Sequence, residues 1–174
     1  FFLALGGAEA NENALKIARL VSGRHKVISR YNSYHGATYG ALTLTGDSRR
    51  FPFEPGIPGV IKVHPPDSFR GPGGLSPQEW EALSVDLVRQ TVLFENPETI
   101  AALFVEPIGG AIGGYMPSPA YMQGLREICD EFGILMVADE VLTGFGRTGR
   151  WFAVELSDVK PDMIVMAKGL TAGY

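Results

Sequence analysis

Two reactive side chains stand at the ends of apolar runs in this sequence. Asp139 follows the run 134–138, with Glu140 directly after it, and Lys168 follows the run 163–167. Continuous apolar runs rich in branched residues are typical of strands buried on both faces of a parallel sheet. Because ligands of open α/β sheets bind at the carboxyl ends of the strands, we expect the carboxylate and the amine to face one crevice.

A carboxylate and a lysine amine held together in this way suit a pyridine aldehyde cofactor. A buried carboxylate can keep a pyridine nitrogen protonated, which makes the ring an electron sink, and a desolvated amine can form a Schiff base with the aldehyde. Asp139 and Lys168 are therefore candidate catalytic residues of a pyridoxal 5′-phosphate site. For Lys168 to act as a base, burial or a cationic neighbour must bring its pKa down from about 10.4.

The composition disfavours several classes of partner. The 174 residues are 45% hydrophobic and 20% charged, which is ordinary for one α/β core. A net charge of -4 without a basic block argues against nucleic acid or an anionic membrane as partner. No apolar stretch approaches the roughly 18 residues of a spanning helix.

The single cysteine, Cys129, lies in a helical pattern and fits a core position and a reducing compartment, so we expect a cytoplasmic protein. No metal site is expected.

Strand and helix patterns alternate along the chain. Helices are predicted from about Ala10 to Val21, from Gln78 to Glu95 and from Ser118, as N-cap, to about Phe132, and strands over 26–30, 99–105, 134–138 and 163–167. This order predicts an α/β fold, a three-layer sandwich in which a mostly parallel sheet carries helices on both faces. The segment Thr45–Pro77, rich in Gly and Pro and containing Arg49, Arg50 and Arg70, is predicted to be a long irregular excursion, either functional or packed on a partner subunit.

Two local features could bind such a cofactor. Gly6-Gly7-Ala8 opens a helix, and backbone N–H groups at a helix start can bind a phosphate, although for so short a glycine pair alone we favour a plain turn and cap. Tyr34 follows a strand and could lie against a flat ring, or it could be structural.

The motifs together resemble those of class III aminotransferases, which are pyridoxal phosphate enzymes of fold type I. The resemblance rests on segments that follow one another in the family's order over nearly the whole chain: residues 6–12, Tyr34-His35-Gly36, Glu106-Pro107, residues 139–149, Pro161-Asp162 and residues 167–170. The separation between Asp139 and Lys168 also matches the family. Because the sequence begins without methionine and ends shortly after Lys168, we expect residues 1–174 to be part of the large cofactor-binding domain, without the N-terminal segment and the small C-terminal domain.

The resemblance implies a role for each matching position. Lys168 would be the Schiff-base lysine and proton shuttle, and Asp139 the partner of the pyridine nitrogen. Val141 and Tyr34 would lie on the two ring faces. The implied cofactor-binding set is Gly7, Ala8, Tyr34, His35, Glu106, Asp139, Val141 and Lys168.

The resemblance also implies a reaction. An amine or ω-amino acid would donate its amino group to a keto acid such as pyruvate, in a homodimer whose other partners are small molecules. Many family members have glutamine where this chain has Leu142, and some have an acidic residue where the loop has Ala111 and Ile112. These departures favour the ω-amino acid:pyruvate or taurine:pyruvate type over the ornithine type.

Other activities stay open. An aminomutase or a decarboxylase of the same fold would use the same cofactor groups. A hydrophobic strand that ends in Asp-Glu also resembles the Walker B strand of a P-loop nucleotide hydrolase, but the chain has no Gly-x-x-x-x-Gly-Lys-Ser/Thr sequence. An inactive homologue used as an interaction scaffold is a further alternative, which the presence of both Asp139 and Lys168 disfavours.

Overall fold

The computed structural model describes residues 1–69, 71 and 73–172 of the chain. The α-helices are α1 (Gly7–Ser22), α2 (Tyr39–Leu44), α3 (Pro77–Phe94), α4 (Pro119–Phe132) and α5 (Lys168–Thr171). The strands are β1 (Lys26–Arg30), β2 (Val60–Val63), β3 (Ile100–Val105), β4 (Leu135–Asp139) and β5 (Met163–Val165). Short 3-10 helices cover Ser48–Phe53, Pro97–Thr99 and Ala153–Ser157.

The described strands form one parallel sheet in the order β2-β1-β3-β4-β5. All strands point the same way, so their carboxyl ends meet at one edge. There Arg30 pairs with Val63, Val105 with Ala138, and Asp139 with Val165. This arrangement confirms the predicted parallel sheet and brings the end of β4 next to the end of β5.

Helices cover both faces of the sheet and define two cores. On one face Leu15 and Ala18 of α1 pack in a cluster with Phe104 and the neighbouring apolar residues of β1 and β4. On the other face Leu125 of α4 lies in a cluster with Met136, together with residues of α3. Successive strand residues point to opposite faces, so both sets of side chains are apolar, which is why the strands are continuously hydrophobic. The predicted three-layer sandwich is confirmed.

Helix α4 begins and ends where the sequence predicts. The Ser118 hydroxyl accepts a hydrogen bond from the backbone N–H of Tyr121 at 3.3 Å. Gly133 ends the helix in the left-handed conformation with φ 62°. Cys129, on the inner face of this helix, is fully buried in the core, in agreement with the prediction.

Thr45–Pro77 is more regular than predicted, because it contains the edge strand β2 and a 3-10 helix. Lys62 interrupts the apolar pattern of β2, and its ammonium group donates hydrogen bonds to the Ser29 hydroxyl and the Leu44 carbonyl at 2.8 and 2.7 Å.

Arg70 lies outside the described residues. Val21, the predicted last residue of α1, is exposed. Within the described ranges, no helix is both long and apolar enough to cross a bilayer.

Candidate active site

A cavity of about 910 Å³ opens at the carboxyl edge of the sheet. Its walls come from the start of α1, the loops after β1, β3 and β4, the 3-10 helix that contains Arg49, and the segment 166–171. The lining includes every residue predicted to bind the cofactor: Gly7, Ala8, Tyr34, His35, Glu106, Asp139, Val141 and Lys168. The fold therefore brings together side chains that are as much as 161 positions apart.

Asp139 is the most firmly held group of this cavity. It is 5% exposed. Its Oδ2 accepts hydrogen bonds from Asn11 Nδ2 and His35 Nδ1, each at 2.8 Å, and its Oδ1 accepts one from the Val141 backbone N–H at 3.1 Å. Hydrogen bonds to a carboxylate favour its charged form and fix its orientation.

His35 is buried directly behind Asp139. A carboxylate only accepts, so His35 Nδ1 carries the hydrogen of the bond to Asp139, while Nε2 has no partner among the described residues. The backbone fixes the ring, since the N–H of His35 donates to the Thr45 hydroxyl at 2.9 Å and its carbonyl accepts from Asn11 at 2.8 Å. His35 thus contacts Asp139 and supports it from the protein side.

Asn11 completes this arrangement, and sequence reasoning assigned it no role. It lies on the inner face of α1, at helical spacing with Ala14, Leu15 and Ala18, and is 1% exposed. A polar residue on an otherwise apolar helix face is a signal that could have identified it, because a buried amide needs partners. Its amide reaches both the Asp139 carboxylate and the His35 carbonyl.

The start of α1 approaches the loop after β4 closely. A Cβ placed on Gly7 would lie 2.8 and 2.9 Å from the two methyl groups of Val141. A Cβ on Gly36 would lie 2.5 Å from the Cβ of Ala8. Glycine is therefore required at both places for the first turn of α1 to reach the cavity, where its N–H groups have no partner within the helix.

Glu106 lies in the cavity wall at the end of β3. It is 7% exposed, its Oε1 accepts a hydrogen bond from the Tyr34 N–H at 3.4 Å, and its Oε2 has no partner among the described residues. Burial raises the pKa of the Glu106 carboxyl, against the opposing effect of the His35 and Arg30 charges. An unpartnered carboxyl oxygen in a cavity wall leaves a position for a polar group of a ligand.

Lys168 lies at the cavity rim rather than in a desolvated position. It is the first residue of α5 and is exposed, which differs from the burial expected from the sequence. The next residue, Gly169, packs closely on the loop after β4, since an added Cβ there would lie 2.9 Å from the Phe145 Cβ. The amine is free to reach into the cavity.

Glu140 belongs to the fold and not to the cavity, although it follows Asp139 directly. It is 1% exposed, and its carboxylate accepts hydrogen bonds from the backbone N–H groups of Ala153 and Val154 at 3.0 and 2.9 Å, and from the Thr143 hydroxyl. Of the acidic pair, Asp139 therefore lines the cavity, whereas Glu140 holds the start of the 3-10 helix Ala153–Ser157.

The residues present fit pyridoxal 5′-phosphate. A rigid carboxylate, a primary amine, a helix start that only glycine permits and an unpartnered carboxyl oxygen all border one cavity. Asp139 would hold the pyridine nitrogen, Lys168 the aldehyde carbon, and the N–H groups at Gly7 and Ala8 the phosphate.

Comparison with known proteins identifies the family of this chain. Residues 1–174 match the family model described as aminotransferase class III. The chain belongs to the class III aminotransferases, whose cofactor is pyridoxal 5′-phosphate. A probable aminotransferase of Mycobacterium tuberculosis is 43% identical over 99% of this chain and 39% of its own length.

Solved structures of transaminases share the fold. A taurine:2-oxoglutarate aminotransferase from Bifidobacterium kashiwanohense, described in complex with PLP and glutamate, superposes with a TM-score of 0.92 at 43% identity, over 98% of this chain and 39% of that one. An (S)-enantioselective omega-transaminase from Thermomicrobium roseum gives 0.93 at 41% identity, over 98% and 40%. The chain thus spans about two fifths of the length of the relatives it matches.

Proposed function

We propose that the full-length protein containing this chain transfers an amino group from an amine or ω-amino acid to a keto acid such as pyruvate, using pyridoxal 5′-phosphate. The observation that carries this proposal is the pairing of Asp139 and Lys168 in one cavity, with Asp139 held by three hydrogen-bond donors. Family membership supports the reaction type. Residues 1–174 would form part of the large, cofactor-binding domain.

The chain's own residues would divide the work as follows. Lys168 would hold the cofactor covalently and, once released by the donor, would move the proton at the substrate carbon that carries the amino group. Asp139, held by Asn11 and His35, would keep the ring nitrogen protonated. When bound, the cofactor supplies an electron sink for the bond broken at that carbon.

The remaining cavity residues would position the cofactor. Val141 and Tyr34 would contact the two faces of the ring, and the N–H groups at Gly7 and Ala8 would bind the phosphate. His35 would act through Asp139, and Glu106, to which we assign no chemical step, would accept a hydrogen bond at the cavity wall.

The apolar part of the wall supports an amine or ω-amino acid donor. Leu142 and Ala111 line the cavity where relatives can carry glutamine or an acidic residue, and neither side chain can form a hydrogen bond. Because the wall has no acidic group at these positions, the anionic far end of an ω-amino acid or of taurine would meet no like charge there. A taurine:pyruvate or ω-amino acid:pyruvate specificity is our proposal over the ornithine type.

We also propose that the full-length protein is a cytoplasmic homodimer with small-molecule substrates, without nucleic acid or membrane as partner. Large apolar side chains that are exposed in this chain, among them Phe51, Phe53 and Trp151 at 59, 55 and 70% exposure, would be covered by the rest of the full-length protein or by the second subunit. The net charge of -4 gives no support for a polyanionic partner.

An absorbance spectrum of the full-length protein, purified with the cofactor, tests the proposal. Wild-type protein should show a band near the visible edge that borohydride fixes on Lys168, as read by peptide mass spectrometry. Taurine, β-alanine or an ω-amine should bleach the band, and pyruvate should restore it. Lys168→Ala should abolish the borohydride adduct, whereas Lys160→Ala, at an exposed lysine outside the cavity, should keep it.

The same preparation separates the alternatives. Release of carbon dioxide from the donor would identify a decarboxylase, and an isomeric amino product without a keto acid requirement would identify an aminomutase. A protein without the band, or with a band unaffected by Lys168→Ala, would contradict the proposal itself.

A further inference from the structure

The loop 144–152 follows β4, and the proposed function gives it no role. Its Phe145 ring meets two other rings edge to face. The ring centroids are 6.4 Å apart for Phe145 and Trp151 and 5.6 Å apart for Phe145 and Phe152, at interplanar angles of 85° and 67°. Phe152 also packs against the core beneath α4. These aromatic contacts therefore fix the loop to the core.

Phe145 has an unusual backbone conformation. Its φ of 62° lies in the left-handed region, which is unfavourable for any residue with a Cβ and rare for a bulky one. The Phe145 N–H donates a hydrogen bond to the Trp151 carbonyl at 2.7 Å. The Gly146 N–H donates one to the Arg150 carbonyl at 3.1 Å. Such conformations persist only where the surroundings fix them, and they are frequent at functional sites.

The loop contacts the chain directly after Lys168. A Cβ added to Gly169 would lie 2.9 Å from the Phe145 Cβ and 3.0 Å from the Gly144 carbonyl oxygen. Neither neighbour is the end of a flexible side chain, so only glycine permits this approach. The Leu170 N–H donates to the Ala167 carbonyl at 2.8 Å and closes a turn over residues 167–170. This turn, which carries Lys168, therefore rests on the backbone of the loop.

The position of the Lys168 amine depends on that contact. Lys168 lines the cavity and is exposed, and within the described ranges its amine has no hydrogen-bond or ion-pair partner. The backbone of the turn 167–170 thus decides where the amine can reach. A displacement of a reacting group by about 1 Å can lower a reaction rate by about 100-fold.

We propose that Phe145 and Gly169 are positioning residues that place Lys168 for its reaction with the cofactor aldehyde. Neither residue is part of the cavity lining, so both act through Lys168 and not by contact with a ligand. The inference rests on the proposed function, because that function gives Lys168 its reaction partner.

The rate at which the full-length, cofactor-free protein takes up pyridoxal 5′-phosphate tests this role. Samples are trapped with borohydride at increasing times, and peptide mass spectrometry measures the adduct on Lys168. Gly169→Ala should lower the rate of adduct formation by about 10- to 100-fold. Arg150→Ala, at an exposed residue of the same loop without a described side-chain hydrogen bond, should stay within about twofold of wild type.

A double variant tests the contact from its other side. Phe145→Gly suits the left-handed conformation but removes the ring that anchors the loop, so it should also slow adduct formation. Adding Gly169→Ala to Phe145→Gly should reduce the rate less than Gly169→Ala does alone, because the Phe145 Cβ is gone. A normal rate in Phe145→Gly, or fully additive losses, would overturn the inference.

Hydrogen exchange of the cofactor-free protein, followed by mass spectrometry, provides a test without the cofactor. The Leu170 amide should lose protection in Gly169→Ala and keep it in Arg150→Ala. If wild-type protein formed no adduct, the proposed function would fail, and the exchange would still decide whether the loop holds the turn 167–170. Unchanged protection in Gly169→Ala would refute the positioning role.

Discussion

Asp139 is a buried carboxylate that accepts three hydrogen bonds, although it follows an apolar run in the sequence. Asn11 and His35 both donate to Oδ2, and the Val141 N–H donates to Oδ1. A buried carboxylate without such donors would be neutralised or would destabilise the fold. The donors therefore serve both stability and the proposed chemistry.

Asn11→Ala should lower the free energy of unfolding of the full-length protein by about 2 to 3 kcal/mol, because a buried carboxylate loses a hydrogen bond and the His35 carbonyl loses a donor. Asn13→Ala is the matched control, since Asn13 lies on the same helix without a described side-chain hydrogen bond and the change in helix propensity is the same. Urea unfolding measures both. Equal stabilities of the two variants would contradict a role for Asn11 in holding Asp139.

Glu106 predicts a pH dependence of stability. Burial raises its folded-state pKa above the unfolded value of about 4.3, so ionisation costs more in the folded protein. Its contribution to stability is therefore present below about pH 4.3 and is lost as the pH rises through the folded pKa. In the cofactor-free, full-length protein, Glu106→Gln should reduce this loss and raise the Tm at neutral pH. Glu127→Gln, at an exposed glutamate of α4, should leave the dependence of stability on pH unchanged. If both variants showed the same dependence, the buried charge of Glu106 would not be its cause.

Single residues show how much of the cavity lining can be predicted from the sequence. The eight predicted cofactor residues do line one cavity, since strand ends and helix starts fix where they lie. The role of Asn11 could not be assigned, because its partners are distant in sequence. The exposure of Lys168 was also not predictable, since the apolar run before it is typical of a buried segment.

At the scale of elements, the approach of α1 to the loop after β4 controls access to the proposed phosphate site. Gly7→Ala should weaken cofactor binding about tenfold, because the added methyl would lie within 3 Å of the Val141 side chain. Gly6→Ala is the control, since nothing lies within 4 Å of its added Cβ and its φ of 177° suits any residue. Equilibrium dialysis gives the affinities.

A double variant tests whether the crowding is the cause. In a protein that already carries Val141→Ala, the further change Gly7→Ala should lower the cofactor affinity only slightly. The reason is that the Val141 methyl groups near the added Cβ are gone. If the losses of cofactor affinity were additive, the glycine would be needed for another reason, such as the backbone conformation of the helix start.

Glu140 links the end of β4 to the 3-10 helix Ala153–Ser157. Glu140→Ala should lower the free energy of unfolding by about 3 kcal/mol, since it leaves two backbone N–H groups and a hydroxyl buried without their acceptor. Glu155→Ala removes the same charge from an exposed contact with the Phe152 N–H and should cost at most about 1 kcal/mol. Chemical denaturation compares the two, and similar losses would mean that Glu140 does not hold this helix.

The predicted elements match the structure where the pattern is regular. β1 has the predicted bounds, and α4 begins after Ser118 and ends at Phe132 as expected. β2 was missed because its short, half-buried run contains Lys62, whose charge is satisfied by carbonyl groups of another segment. Local pattern cannot show such distant acceptors.

At the scale of the whole molecule, alternation of strand and helix was sufficient to predict the parallel sheet and the helix layers on its two faces. It was not sufficient to predict the strand order, in which β1 lies between β2 and β3. The order depends on how the helices pack across the sheet, and many chain paths satisfy the same alternation.

The hydrogen bonds that hold Asp139 join residues 128 and 104 positions apart in the sequence. Contacts of such large sequence separation form slowly, because the entropy of closing a long loop is lost before the contact is gained. During refolding, the sheet and α1 must come together before the carboxylate is oriented. The capacity to bind cofactor should therefore appear late, after most of the helical circular dichroism has returned, and a chain still emerging from the ribosome would gain its site only when β4 has joined the sheet.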